Sequence, residues 1–155
     1  MKKTLPILLA ISLVINAAMI YLFILKGEAY KSDDGRVEIK MSRDNQEFVL
    51  DEMRDFLESV QKINNGILNN DATKIIEAGK TSGGSVIDHA PKGLLKTLPV
   101  GFKELGFATH DIFDDITESA ENNFNARESQ KQLNTLLNNC ITCHRAYKLE
   151  TRIEQ

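Results

Sequence analysis

The chain has 155 residues, a formal net charge of −3, few aromatic residues and no tryptophan. This length allows one ordinary domain besides a short terminal segment, and it is too short for two. A nucleic-acid-binding protein would carry a basic face or a pI above about 9, so the acidic balance speaks against that class. The two cysteines lie three positions apart, which predicts a local chemical site and not a disulfide that closes a long loop.

The N-terminal segment is predicted to be a targeting or anchoring sequence. Lys2 and Lys3 precede an almost wholly apolar run from Leu5 to Leu25, and about 20 apolar residues can span a bilayer as a helix. Because the run continues beyond its only pair of small residues, residues 1–26 predict an uncleaved signal anchor, with a long cleaved signal peptide as the alternative. The positive-inside rule keeps the lysines in the cytoplasm. The domain is then anchored on the periplasmic side of a bacterial inner membrane, or soluble in the periplasm after cleavage.

Residues 27–36 are polar and predict a flexible linker, which leaves residues 37–155 as the folded domain. The first helix of that domain is indicated by apolar residues at three- and four-residue steps, with charged residues between them. These apolar residues are Leu50, Met53, Leu57, Val60, Ile63 and Ile67. Asp71 is a suitable N-cap for a second helix from Ala72 towards Ala90.

Two further helices are predicted after Pro91. Pro99 suits the first turn of the third helix, whose buried face carries Phe102, Leu105, Thr109, Phe113 and Ile116. The fourth helix runs from about Ala126 to Arg152, with its apolar side at Leu133, Leu136, Leu137, Cys140, Ile141, His144 and Tyr147. The sequence shows no strand alternation and no internal repeat. Four helices with mostly short connections predict an all-α fold, an antiparallel four-helix bundle.

The strongest motif is Cys140-Ile141-Thr142-Cys143-His144. Two thiols three residues apart lie on one helix face, where they can add to the two vinyl groups along one edge of a haem. The histidine that follows can then reach the iron. The pattern predicts one covalently bound haem c, attached through Cys140 and Cys143, with His144 as the proximal iron ligand.

Two other kinds of site use the same residues. A Cys-x-x-Cys redox dithiol usually lies at a helix N-terminus in a βαβ fold, whereas this motif lies late in the last helix. A zinc site would need one ligand more than Cys140, Cys143 and His144 supply, and His89 and His110 are the only other histidines. Export of the domain favours haem c over both alternatives.

The sequence resembles the class II cytochromes c, the family of cytochrome c′ and its low-spin relatives. The resemblance covers about residues 48–152 and rests on the Cys-x-x-Cys-His-x-x-Tyr-Arg pattern on the last helix. Tyr147 matches that pattern, whereas Lys148 stands where the family usually has arginine, which leaves any proximal role of that arginine undecided. The resemblance implies a four-helix bundle that carries one haem c.

The resemblance also implies two possibilities for the sixth position of the iron. In low-spin members a methionine on the first helix binds there, whereas in cytochrome c′ an apolar residue leaves the iron five-coordinate. The family offset from Asp71 assigns the position to Met53 as the distal ligand, and Met41, near the linker, is a weaker candidate. Without ligation, Met53 is a flexible core residue.

Other residues receive minor assignments. His110, in a run from Leu105 that resembles the family, is interpreted as a packed or capped surface histidine; the alternatives are a distal ligand and a partner of a haem propionate. His89 is interpreted as a helix-end residue. Three cations surround the haem end of the fourth helix, where they either pair with propionates, dock an acidic partner or simply face solvent. They are Arg145, Lys148 and Arg152.

The predicted function is one-electron transfer by a monohaem cytochrome that is not an enzyme. Its expected partners are redox proteins and, through the N-terminal helix, the inner membrane, with no nucleic acid. The alternative is a gas-binding haem protein with an open distal site, and a third, weaker hypothesis is a structural role of the haem in an assembly. A homodimer is left open.

Overall fold

The computed structural model of the chain describes residues 4–152, without the side chains of residues 23 and 24. Lys2 and Lys3, the charged start of the predicted targeting segment, lie outside the described residues. Within residues 4–152 the chain forms six α-helices and one three-stranded sheet. The prediction of a mostly helical fold is confirmed, and the prediction that strands are missing is wrong.

The elements follow one another in a simple order. The helices are α1 (Thr4–Ile20), α2 (Arg43–Asn69), α3 (Ala72–Ser82), α4 (Leu94–Thr97), α5 (Val100–Asn123) and α6 (Ala126–Ala146). The strands are β1 (Ala29–Lys31), β2 (Val37–Met41) and β3 (Tyr147–Thr151). A π-helical turn at Tyr21–Leu25 follows α1, and a 3-10 helix at Gly84–His89 follows α3.

The apolar run near the N-terminus is divided between α1 and the π-helical turn. No residue of α1 is buried, and Leu5, Leu8 and Val14 are among its exposed apolar side chains. Over residues 4–152, no helix is long and apolar enough to cross a membrane.

Four helices surround the larger of two hydrophobic clusters. Helix α2 packs on α3, α3 on α5, α5 on α6, and α6 on α2, so the four form a ring. We call the cluster inside this ring the closed core; it consists of Ile63, Ile67, Ile75, Ala78, Phe113, Ile116, Ala120, Leu133 and Leu136. The predicted cap of the second helix is confirmed, because the Asp71 carboxylate accepts a hydrogen bond from the Lys74 backbone N–H at 3.1 Å.

Helix α3 is shorter than the sequence predicted. The backbone becomes extended at Gly83, and the backbone N–H of Gly84 donates to the Asp114 carboxylate of α5 at 2.9 Å. This side-chain acceptor takes the place of a helical carbonyl, so the chain continues as a 3-10 helix that ends at His89.

The sheet joins the two ends of the domain. Strand β1 is antiparallel to β2, and β2 is parallel to β3, with Val37 opposite Tyr147 and Met41 opposite Thr151. Residues 27–36, interpreted from the sequence as a linker, therefore contain a strand. The fourth helix ends at Ala146, not at Arg152, because pairing with β2 draws the following residues into an extended strand.

The sheet also positions the helices that carry the predicted site. Strand β2 leads through Ser42, the N-cap of α2, into the helix that contains Met53. Strand β3 directly follows α6, which contains the two cysteines and His144. The β2–β3 pairing thus connects the start of α2 to the end of α6.

Candidate functional site

The Cys-x-x-Cys-His motif occupies the last two turns of α6. Both cysteines are half-buried free thiols, and His144 is exposed. The helix ends two residues after His144, and the backbone N–H of the C-cap residue Tyr147 donates to the carbonyl of Cys143. The thiols therefore lie at a helix C-terminus, which is not the environment that activates a reactive cysteine.

Two neighbouring cavities adjoin the motif. The inner cavity, of about 80 Å³, is lined by α2, α5 and α6, and the outer cleft, of about 240 Å³, by α2 and α6. Met53, Cys140 and His144 line both, and Cys143 lines the inner cavity. The fold thus brings together all four residues that the sequence predicted for the site.

Apolar side chains line the outer cleft without being covered. Leu57 of α2 is 71% exposed and Leu137 of α6 is 39% exposed, and both line the cleft. The apolar stripe of the first helix predicted that Leu57 is buried, and that prediction is wrong. For Leu137 the sequence predicted an apolar side of the helix. Their stretches of α2 and α6 border the cleft, so no neighbouring helix covers them.

The two thiols are held in the protonated form. Burial raises the pKa of Cys140, and burial together with the neighbouring Cys140 raises the pKa of Cys143 to about 11. A redox dithiol needs a lowered thiol pKa, because the thiolate is its nucleophile. The environment of the motif therefore disfavours the dithiol alternative.

The described residues do not form a zinc site either. Over residues 4–152, no three or more His, Cys, Asp and Glu side chains come together in a group that could hold a metal ion. His89 ends the 3-10 helix, as its interpretation as a helix-end residue expected, and it lines neither cavity. The cysteines and His144 are therefore not gathered with a further donor into a tetrahedral zinc site in this part of the chain.

The residues present fit a haem better than a bare metal ion. A porphyrin brings four nitrogen ligands of its own, so the protein needs to supply only thiols for its edge and axial donors for its iron. The thiols, His144 and the uncovered leucines meet these needs at one place. Each cavity is smaller than the roughly 300–1,000 Å³ of typical ligand pockets, so a macrocycle would need the two cavities to merge and widen.

His110 has a different setting from the one expected. It is only 4% exposed, so its interpretation as a packed or capped surface histidine is wrong about the surface position. Its Nδ1 lies 2.8 Å from the carbonyl oxygen of Ser82, and its ring packs edge-on against Phe56 with centroids 5.0 Å apart. It also lines the inner cavity.

Glu52 and Gly106 line the inner cavity and were not singled out from the sequence. Burial raises the pKa of Glu52, and nearby His110 opposes that rise. Glu52 lies four residues before Phe56, so helical spacing from Phe56 is the signal that could have found it. Gly106 lies four residues before His110, and the same spacing could have found it.

Two of the three cations predicted around the motif are paired elsewhere. Lys148 lies 3.0 Å from the Glu38 carboxylate on β2, and Arg152 lies 3.4 Å from Glu28. Arg145 is exposed on α6, next to His144. Met41, the weaker candidate ligand, is buried in β2 and lines neither cavity.

Comparison of the chain with protein-family models, with characterised proteins and with solved structures gave no match. The motif and the site geometry are therefore what indicate the function of this chain.

Proposed function

We propose that this protein is a monohaem c-type cytochrome that carries out one-electron transfer. The observation that carries the proposal is the position of two free, protonated thiols and His144 on one apolar cavity at the end of α6. Each thiol would add across one vinyl group, forming a carbon–sulfur bond while its proton passes to the vinyl carbon, so no electrons are lost. Haem c, held in this way, would supply the ferric–ferrous couple.

The residues of this chain would set the properties of that couple. His144 would bind the iron on one side, and Met53, which lines the same cavities from α2, is our candidate for the other side. A thioether is a soft ligand that favours ferrous iron and raises the potential. The ring of α2, α3, α5 and α6 supports the antiparallel four-helix bundle that the class II resemblance implies.

The test is covalent attachment of the pigment. The full chain, exported with a haem-maturation system, should keep its haem through acid–acetone extraction and denaturing electrophoresis. Cys140→Ala with Cys143→Ala should abolish this retention. Thr142→Ala is the matched control, because Thr142 lies between the thiols and is exposed. Loss of the pigment from the unaltered chain would refute the proposal.

A gas-binding haem protein is the second candidate function. The inner cavity favours it, because a space of about 80 Å³ beside the motif has room for a diatomic gas. Carbon monoxide added to the ferrous protein separates the two functions. A spectrum that does not change supports electron transfer through a closed site, and a rapid shift supports gas binding.

We also propose that the domain works outside the cytoplasm, with redox proteins as its partners. The proposal rests on the targeting pattern of residues 1–26 and on the uncovered apolar side chains of α1. Fractionation of expressing cells and mapping of the mature N-terminus test it. Haem-loaded protein in the periplasmic or inner-membrane fraction agrees with the proposal, and loaded protein in the cytoplasm contradicts it.

A further inference from the structure

The imidazole of His110 is fixed in one orientation on the wall of the inner cavity. Its Nδ1 is 2.8 Å from the Ser82 carbonyl oxygen, and Phe56 packs against the ring. The residue that provides this carbonyl is itself held, because the buried Ser82 hydroxyl donates to the Ser59 hydroxyl at 2.8 Å. The side chain is thus preorganised by contacts with both α2 and the end of α3.

This hydrogen bond determines which ring nitrogen carries the proton. A carbonyl oxygen can only accept, so Nδ1 carries the hydrogen and Nε2 of the neutral ring keeps a free lone pair. The hydrogen bond of the His110 ring runs through Nδ1. Over residues 4–152, Gln132 Oε1 is the only side-chain polar atom sealed from solvent without a partner. No hydrogen bond of Nε2 is found in this part of the chain, and Nε2 is not sealed from solvent. His110 lines the inner cavity and also a second cavity between α2, the 3-10 helix and α5.

The arrangement matches a metal-binding histidine better than a packing residue. Histidines that bind metals usually donate their second ring N–H to a backbone carbonyl or a carboxylate, which fixes the tautomer and raises the basicity of the ligating nitrogen. In this tautomer Nε2 cannot donate a hydrogen bond, so the ring is not set up to stabilise a gas bound to iron.

We propose that His110 is a second donor for the sixth position, binding the iron through Nε2 when the Met53 thioether is absent. The inference rests on the proposed function, since the iron must be present. Both side chains line the inner cavity, and Phe56, which contacts the His110 ring, lies one helical turn after Met53 on α2. Loss of the thioether therefore frees space in the cavity that the imidazole also lines.

The test compares two haem-loaded variants by optical and electron paramagnetic resonance spectroscopy. Met53→Leu should lose the long-wavelength ferric band of methionine ligation, yet remain low-spin with the spectrum of two imidazole ligands and stay closed to carbon monoxide. Adding His110→Asn should make the iron high-spin and reactive with carbon monoxide. A Met53→Leu variant that is already high-spin and binds the gas would overturn the inference.

Asparagine is the matched replacement because its side-chain N–H can keep the bond to the Ser82 carbonyl while Nε2 is removed.

A measurement on the haem-free chain separates this inference from the proposed function. Nitrogen-15 spectra should show a protonated Nδ1 and an unprotonated Nε2 for His110, and the opposite tautomer would contradict the inference. If no haem attaches, the proposed function fails, whereas the tautomer is still measured.

Discussion

The two ends of the helix ring differ in how completely their side chains are packed. In the closed core, Phe113 and Leu136 have no exposed surface, whereas at the motif end Leu57 and Leu137 of the same helix ring remain uncovered. Uncovered apolar side chains around a concave site mark a surface that binds something. One end of the ring is thus complete by itself, whereas the other leaves apolar side chains uncovered around a cleft.

The inner cavity and the outer cleft lie between two packed clusters. The closed core adjoins it on one side, and a second cluster that includes Ile39, Val49 and Phe102 adjoins it on the other. Cys143 and Met53 pack against this second cluster. Close packing in the two clusters can keep the cavity open, because the side chains of its walls are already held by their contacts within the clusters.

The largest expected effect is a difference in the free energy of unfolding between alanine substitutions at two adjacent leucines of α6. Leu136→Ala removes a side chain with no exposed surface from the closed core, and it should lower the free energy of unfolding by about 2–5 kcal/mol. Leu137→Ala removes one that borders the outer cleft, and its cost in the haem-free chain should be below about 1 kcal/mol. Urea unfolding followed by circular dichroism measures both. Equal costs would show that the two ends are packed alike.

The thiol of Cys143 provides the next test, through its pH dependence. Its pKa is raised from 9.0 to about 11, so at pH 8 the native chain should hold on the order of 100-fold less thiolate than a free thiol. Because only the thiolate reacts, alkylation of Cys143 by iodoacetamide should be slower by that factor and should accelerate as the pH rises towards 11. The urea-unfolded chain is the control. Equal rates at pH 8 in native and unfolded chains would refute a buried site.

Local sequence signals predicted the parts of the fold that depend on neighbouring residues. Asp71 was identified as an N-cap because its carboxylate needs only the first turn of its own helix. The pairing of β2 with β3 was missed, because the partners lie near opposite ends of the domain and β-propensity depends on tertiary context. Helical spacing placed Leu57 on an apolar face, but spacing cannot tell whether a helix or a cleft lies opposite that face.

The candidate site could be predicted where its residues are neighbours in the sequence. The Cys-x-x-Cys-His motif is contiguous, so the sequence places its two cysteines and His144 together, and their haem attachment stays a prediction. The setting of His110 depends on the carbonyl of Ser82, which comes from the end of α3. No pattern around His110 indicates that hydrogen bond, and the sequence therefore predicted a surface position where the residue is buried.

The smallest expected effects are those of two glycine-to-alanine substitutions. One lies at each end of the helix ring, and their effects on stability should have opposite signs. In a helix interior, glycine to alanine gains about 0.5–1 kcal/mol of stability, because alanine loses less backbone entropy on folding. At Gly79 of α3, a Cβ would lie 3.0 Å from the carbonyl oxygen of Phe113 and closer still to the Thr117 hydroxyl. That hydroxyl donates to the same carbonyl at 2.9 Å, so neither group can easily move away.

Overpacking of this kind costs about 1–3 kcal/mol, which exceeds the gain, so Gly79→Ala should destabilise the chain. Gly106→Ala should do the opposite, because a Cβ at Gly106 of α5 meets nothing within 4 Å. Thermal unfolding of the haem-free variants measures both signs. In the haem-loaded protein the gain at Gly106 should shrink, since the new methyl lies on the wall of the inner cavity that the macrocycle would occupy. If Gly106→Ala destabilises the haem-free chain as much as Gly79→Ala does, the motif end is already filled, and the chain has no open side for a haem to complete.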